Sequence, residues 1–77
     1  MNQILMLHND PLSKTQHEQL AGCLSMGNSP ETCYLGIYGK RDARVGGVLS
    51  RMGTISGRTE YLRSIGTANG DLRQSEA

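Results

Sequence analysis

The sequence predicts a small α+β domain that is mostly α-helical, with three short helices followed by a β-hairpin. Three segments space their apolar residues along one helical face, and each is bounded by residues that favour a helix terminus. The segment after them is rich in Thr, Ile and Tyr, which favour strands. With 77 residues, the chain has room for one domain.

The first helix is predicted at residues 14–26. Ser13, followed three residues later by Gln16, forms a capping-box pattern at its start. Gly27 supplies a stop, because glycine readily takes the left-handed conformation that closes a helix. The residues that share its buried face are His17, Leu20, Ala21 and Leu24.

The second helix is predicted at residues 30–38. Ser29 is a favourable N-cap, Pro30 suits the first helical position, and Glu31 lies in the first turn. Gly39 ends the helix. Tyr34 and Tyr38 are four residues apart and are therefore expected to stack on one face.

The third helix is predicted within GKRDARVGGVLSRMG, residues 39–53, with Asp42 as its cap and Gly53 as its end. Gly46 and Gly47 oppose it, since each costs about 1 kcal/mol relative to Ala in a helix interior. The helix therefore needs tertiary packing, and a bend at the two glycines is the alternative. Glycine is useful where another backbone comes close, such as that of the first helix or a phosphate backbone. The expected core stripe, spaced at i, i+3, i+4 and i+7, is Val45, Val48, Leu49 and Met52.

Residues 54–65 allow two interpretations. In the favoured one, Ser56-Gly57 is the tight turn of a β-hairpin and residues 61–65 form the returning strand. In the other, Ser56 caps a fourth helix that carries Tyr61, Leu62 and Ile65 and ends at Gly66. The corresponding domain organisation is an N-terminal arm or short strand at 1–12, one folded domain at 13–66, and a polar, disordered tail at 67–77.

Charge is distributed unevenly along the chain. Residues 1–39 carry a net charge of −2, residues 40–63 carry +4, and residues 64–77 carry −1. A local basic block on a chain with a net charge of only +1 indicates one face directed at an anionic partner.

Other classes of function have little support. Cys23 and Cys33 are expected to be free thiols that act as small apolar fillers, because their spacing is not that of a zinc site and two cysteines make no disulfide framework. No catalytic constellation, cofactor motif or metal site is expected, so the protein is predicted not to be an enzyme. The N-terminus lacks the features of a signal peptide, and no run approaches the length of a membrane span. A cytoplasmic, reducing location is expected.

The order of elements resembles a winged helix-turn-helix DNA-binding domain over residues 13–65. Gly39 corresponds to the turn glycine, and Val45 and Val48 to the two apolar positions that a recognition helix buries. A second resemblance is local: LSKTQHEQL (12–20) and SGRTEYL (56–62) are similar to the first and last helices of the response-regulator-type four-helix DNA-binding domain. That resemblance makes an all-α, four-helix helix-turn-helix the alternative fold.

Both resemblances imply a small transcriptional regulator or accessory factor that binds double-stranded DNA. Arg44 and Arg51 are expected in the major groove, Lys40 and Arg41 at phosphates, and Arg58 at the backbone or minor groove from the wing. Residues 1–7, MNQILML, are the expected contact of a homodimer. The alternative function is a small protein-binding modulator that docks the same basic face on an acidic surface and exposes an apolar patch, with ILML (4–7) as the candidate.

Overall fold

Four helices make up the computed structural model, which describes the backbone of residues 8–76 and the side chains of residues 8–66. The helices are α1 (Thr15–Ser25), α2 (Pro30–Tyr38), α3 (Ala43–Arg51) and α4 (Gly53–Glu76). No strand occurs among the described residues. The predicted α+β fold with a C-terminal hairpin is therefore wrong, and the chain is all-α over this range. Residues 1–7, which hold most of the predicted arm and the predicted dimer contact, lie outside the described part. The backbone of α4 continues through residues 67–76, which were predicted to be a disordered tail, and the side chains after Gly66 are not described.

The first three helices lie where the sequence predicted them, and their ends have identifiable causes. Ser29 caps α2 by accepting a hydrogen bond from the Thr32 N–H at 3.2 Å. Gly27 and Gly39 both take positive φ, +94° and +75°, after α1 and α2. The capping box at Ser13 does not form. Instead α1 begins after Lys14 with no side-chain cap.

The segment predicted to be a hairpin is helical. Its buried residues, some of them polar, lie on one face of the helix. Ile55 is fully buried, and Arg58 and Thr59 are buried three and four residues later. Leu62, seven residues after Ile55, packs partly against the core. This i, i+3, i+4, i+7 spacing defines one helical face. The Thr59 hydroxyl donates to the Ile55 carbonyl at 2.7 Å, so it needs no partner outside its own helix.

The core lies between α1, α2 and α4. α1 packs mainly on α4, and α2 packs mainly on α3. The buried residues of the core are Leu20, Ala21, Leu24, Cys33 and Ile55. Partly buried around them are Leu12, Cys23, Ile37, Leu49 and Leu62. Tyr34 is also buried and stacks on Tyr38 with ring centroids 4.5 Å apart, as the spacing of the two residues predicted.

Candidate nucleic-acid interface

Two helices joined by a short, defined turn form the candidate site. α2 ends when Gly39 adopts a left-handed conformation and its N–H donates to the Leu35 carbonyl at 2.9 Å. Three residues later, the Asp42 carboxylate accepts a hydrogen bond from the Val45 N–H at 3.1 Å and caps α3. The connection is thus fixed by a hydrogen bond at each end, one between backbone groups and one to the Asp42 side chain, so the direction of α3 relative to α2 is set locally.

A backbone-to-backbone contact at Gly46 holds α3 against α2. A Cβ added at this position would lie 3.0 Å from both the Pro30 carbonyl oxygen and the Tyr34 Cβ. Glycine allows that approach without displacing its neighbours, which any Cβ at this position would have to push away. A neighbouring backbone does approach this glycine, but it is that of α2 and not that of α1 or of a nucleic acid, which the sequence had suggested. The alternative of a bend at Gly46-Gly47 is wrong, since α3 is continuous through both residues.

The orientation of α3 differs from the prediction. Its buried or half-buried side is formed by Gly46, Leu49 and Ser50, whereas Val45, Val48 and Met52 are exposed. Of the four residues predicted for the core stripe, only Leu49 packs against the core. The close approach at Gly46 is the physical reason. It turns the glycine side of the helix inward and leaves the apolar stripe facing outward, beside Arg44 and Arg51, which are also exposed.

Four of the five predicted DNA-binding residues lie together on this unit. Lys40 and Arg41 are exposed in the turn, and Arg44 and Arg51 are exposed on α3. Arg41 Nη1 lies 3.5 Å from Glu31 Oε2 in a pair that is largely open to solvent. Within the described part of the chain, Lys40, Arg44 and Arg51 make no ion pair. The turn and α3 therefore present a basic surface whose charges are mostly uncompensated.

Arg58 does not belong to this surface. It lies in α4 rather than at a wing tip, and only 7% of it is exposed. Its Nε donates to Glu18 Oε1 and Oε2 at 2.9 and 3.0 Å, and its Nη2 donates to Oε2 at 2.8 Å. Its Nη1 also donates to the His8 carbonyl at 3.4 Å. The wing placement of Arg58 is wrong, and the residue ties α1 and the preceding segment to α4.

This pairing also determines the ionisation of Glu18. The side-chain hydrogen bonds from Arg58 lower the pKa of Glu18, and burial opposes them only in part. The Leu12 N–H, which donates to Glu18 Oε1 at 3.0 Å, lowers this pKa further. The same pairing raises the pKa of Arg58, again mainly through the hydrogen bonds to Glu18. Both groups are therefore held in their charged forms.

The cysteines depart from the prediction as well. Cys23 of α1 and Cys33 of α2 form a disulfide with their Cα atoms 5.8 Å apart. The expectation of two free thiols is wrong. The sequence signal was the placement of one cysteine on each of two adjacent helices, but pairing requires knowing that the two helices cross at those positions. The disulfide fixes α2, the supporting helix of the candidate site, to α1.

A half-open cavity of about 320 Å³ lies on another side of the fold. The hydroxyls of Ser50, Ser56 and Thr59 line it, but each donates to a carbonyl of its own helix. Glu60 and Arg63, also in the lining, pair with each other at 2.9 Å. No nucleophile and base converge there. The remaining lining residues are Leu24, Gly27, Asn28 and Pro30.

In the range that the structure covers, no group of three or more His, Cys, Asp or Glu side chains is placed to hold a metal ion. None of the helices within that range combines the length and apolar character needed to cross a bilayer.

Comparison with known proteins gave no match to this chain, whether against protein-family models, curated proteins or solved structures.

Proposed function

We propose that the protein is a small, non-enzymatic DNA-binding factor, acting in transcription regulation or as an accessory DNA-binding protein, and that α2, the turn and α3 form its helix-turn-helix. The observation that carries the proposal is the outward face of α3. Arg44 and Arg51 project from it without ion-pair partners in the described part, next to the basic turn at Lys40 and Arg41. The four-helix arrangement, rather than a winged one, is the scaffold.

The dimensions of α3 suit the major groove. The groove is about 12 Å wide and admits an α-helix. Arg44 and Arg51 are seven residues apart, so they lie on one side of the helix and about 10 Å apart along its axis. That separation corresponds to roughly three base-pair steps. Arginine is suited to this position, because its guanidinium binds guanine O6 and N7 bidentately.

The turn residues are assigned to the phosphate backbone. Lys40 is exposed and Arg41 is held only by an exposed contact with Glu31. Exposed pairs of this kind contribute little, so a phosphate oxygen can replace the carboxylate at small cost. Phosphate contacts of this kind set the register of a protein on DNA without reading sequence.

The proposal also includes the assembly and its location. A unit with four basic residues neutralises few phosphates, and affinity rises with the number neutralised. We therefore include a homodimer, with residues 1–7 as the contact, that places two α3 helices about 34 Å apart on adjacent major grooves. We also propose a cytoplasmic location, in which the Cys23–Cys33 disulfide would be exposed to cellular reductants. No cofactor is included.

A second candidate function has one observation in its favour. Val45, Val48 and Met52 form an exposed apolar stripe beside the arginines, and exposed apolar patches commonly mark protein-binding surfaces. In this alternative, α3 docks on an acidic partner protein that also offers an apolar groove. The two candidates share a surface but differ in their ligand.

Fluorescence anisotropy with a random-sequence duplex tests the proposal. We expect binding that weakens steeply as salt rises, because phosphate neutralisation releases counterions. The variant Arg44→Ala/Arg51→Ala should bind at least tenfold more weakly at low salt. A matched control, Lys14→Ala/Arg63→Ala, removes the same charge from α4 and the start of α1 and should bind nearly as the parent does. Absence of salt-sensitive binding, or equal losses in the two variants, would refute the proposal.

A further inference from the structure

The exposed apolar stripe of α3 is unusual for a surface helix. Val48 is 51% exposed, and Val45 and Met52 are 37% and 38% exposed. Val45 and Val48 lie one turn apart on α3, and Met52 follows at the C-cap, four residues after Val48. Leu49, the neighbouring apolar residue, faces the core. The stripe is therefore separate from the packing that holds α3 in place.

Val48 occupies a particular place on this face. It lies four residues after Arg44 and three before Arg51, so it is the surface neighbour of both arginines. With about 100° of rotation per residue, it lies roughly 40–60° around the helix from them. A ligand held by both guanidinium groups therefore comes close to the isopropyl group of Val48.

The basic residues beside the apolar stripe indicate what kind of partner binds there. Arg44 and Arg51, with Lys40 in the turn, indicate an anionic partner. Duplex DNA, the partner proposed above, is anionic and also carries an apolar group in its major groove. The major groove presents one apolar group, the C5-methyl of thymine. Valine cannot donate or accept a hydrogen bond there. Its contribution to readout is thus restricted to that methyl.

We infer that Val48 is a specificity-determining residue that contacts a thymine methyl between the bases read by Arg44 and Arg51, with Val45 and Met52 closing the contact on its far side. The inference rests on the proposed DNA-binding function and deepens it. It requires that the preferred site contain thymine within the few base pairs that α3 covers.

The test begins with selection of a binding duplex from a random-sequence pool by the full chain. The selected duplex is then compared with one of identical sequence in which every thymine is replaced by deoxyuridine. That change removes only the C5-methyl groups and keeps all base-pair hydrogen bonds. We expect the parent protein to bind the uracil duplex about fourfold more weakly for each methyl contacted, as for burial of one methyl-sized group.

Val48→Ala should bind the thymine duplex more weakly and should no longer distinguish the two duplexes. Ile65→Ala is the matched control, because Ile65 is an exposed apolar residue on α4. It should keep the full preference for thymine. Val48 is half exposed, so Val48→Ala should fold, and a thermal melt followed by circular dichroism verifies this.

The outcomes separate this inference from the function on which it rests. Equal binding of the two duplexes by the parent, with salt sensitivity and dependence on Arg44 and Arg51 intact, overturns the role of Val48 and leaves DNA binding standing. A selected site without thymine, or a thymine preference that survives in Val48→Ala, also overturns it. If no duplex is bound in a salt-sensitive manner, both proposals fail. The second candidate function, binding of a partner protein through the apolar stripe, is then favoured.

Discussion

Arg58 and Glu18, forty residues apart in the sequence, join α4 to α1 through a forked set of hydrogen bonds between 2.8 and 3.0 Å. The guanidinium side is almost completely buried, whereas the carboxylate side chain keeps 29% of its surface exposed. Glu18 also accepts the Leu12 N–H, and Arg58 also binds the His8 carbonyl. One pair thus connects two helices and the segment that precedes them.

Removing the carboxylate should destabilise the fold substantially. Glu18→Ala leaves a buried guanidinium without its counter-charge, and we expect a loss of about 2–4 kcal/mol in the free energy of unfolding. Urea denaturation measures this loss in the free energy of unfolding. Glu60→Ala is the control, because its pair with Arg63 is exposed and should contribute less than about 1 kcal/mol. Similar losses in the two variants would contradict the structural role assigned to the Glu18–Arg58 pair.

The same pair predicts a pH dependence of stability. Arg58 lowers the pKa of Glu18 in the folded state, so protons bind the unfolded chain first as the pH falls. Stability from this pair is therefore complete above the unfolded-state pKa of about 4.3 and is lost as the pH falls below it toward the lower folded-state pKa. Thermal melts between pH 7 and pH 3 should show this decline. The Glu18→Gln variant should have a lower melting temperature at pH 7, and that temperature should decline less as the pH falls. Parallel curves for the two proteins would contradict the predicted contribution of the pair.

Reduction of the Cys23–Cys33 disulfide should lower stability without abolishing the helices. The cross-link spans ten residues, and constraint of the unfolded chain by a loop of this size contributes about 2–3 kcal/mol. For a chain this small, the melting temperature should fall by roughly 10–20 °C on reduction. A Cys23→Ser/Cys33→Ser variant should melt at the lower temperature with or without reductant. A parent protein whose thiols react fully before reduction would show that the bond does not form.

Gly46 and Gly47 should respond oppositely to the same substitution. At Gly46 a methyl group would meet the Pro30 carbonyl and Tyr34 Cβ at 3.0 Å, so Gly46→Ala should destabilise by about 1–3 kcal/mol, as overpacking does. At Gly47 the nearest atom is the flexible Arg51 Nη1 at 3.4 Å, so Gly47→Ala should stabilise by up to about 1 kcal/mol. Chemical denaturation of both variants decides this. Stabilisation by both would mean that α3 does not pack through Gly46.

Local signals in the sequence were sufficient to locate α1, α2 and α3, although Gly53, which was predicted to end α3, is the first residue of α4. Ser29-Pro30 and Asp42 specify helix starts through backbone chemistry that needs no tertiary context, and Gly27 and Gly39 specify the ends in the same way. Tertiary contacts, and not the capping box predicted at Ser13, are found at the start of α1. Glu18 in the first turn of α1 is engaged by the Leu12 N–H and by Arg58, and the helix begins one residue later than the box requires.

Two helices were assigned wrongly because some of their buried residues are not hydrophobic ones. In α4 the buried stripe includes Arg58 and Thr59, which a hydrophobic pattern does not count. In α3 the buried side includes Gly46, which has no side chain to count. Burial of an arginine requires knowledge of its partner, and burial of a glycine requires knowledge of the neighbouring backbone. Neither is a property of the local sequence.

The way α3 is packed has a consequence for how its binding preferences can change over time. The helix is held by a glycine backbone contact and by Leu49, and its exposed residues at 44, 45, 48, 51 and 52 contribute little to that attachment. Substitutions at these five positions can therefore accumulate without loss of the fold. Selection can exchange one ligand preference for another at this surface while the scaffold below stays the same.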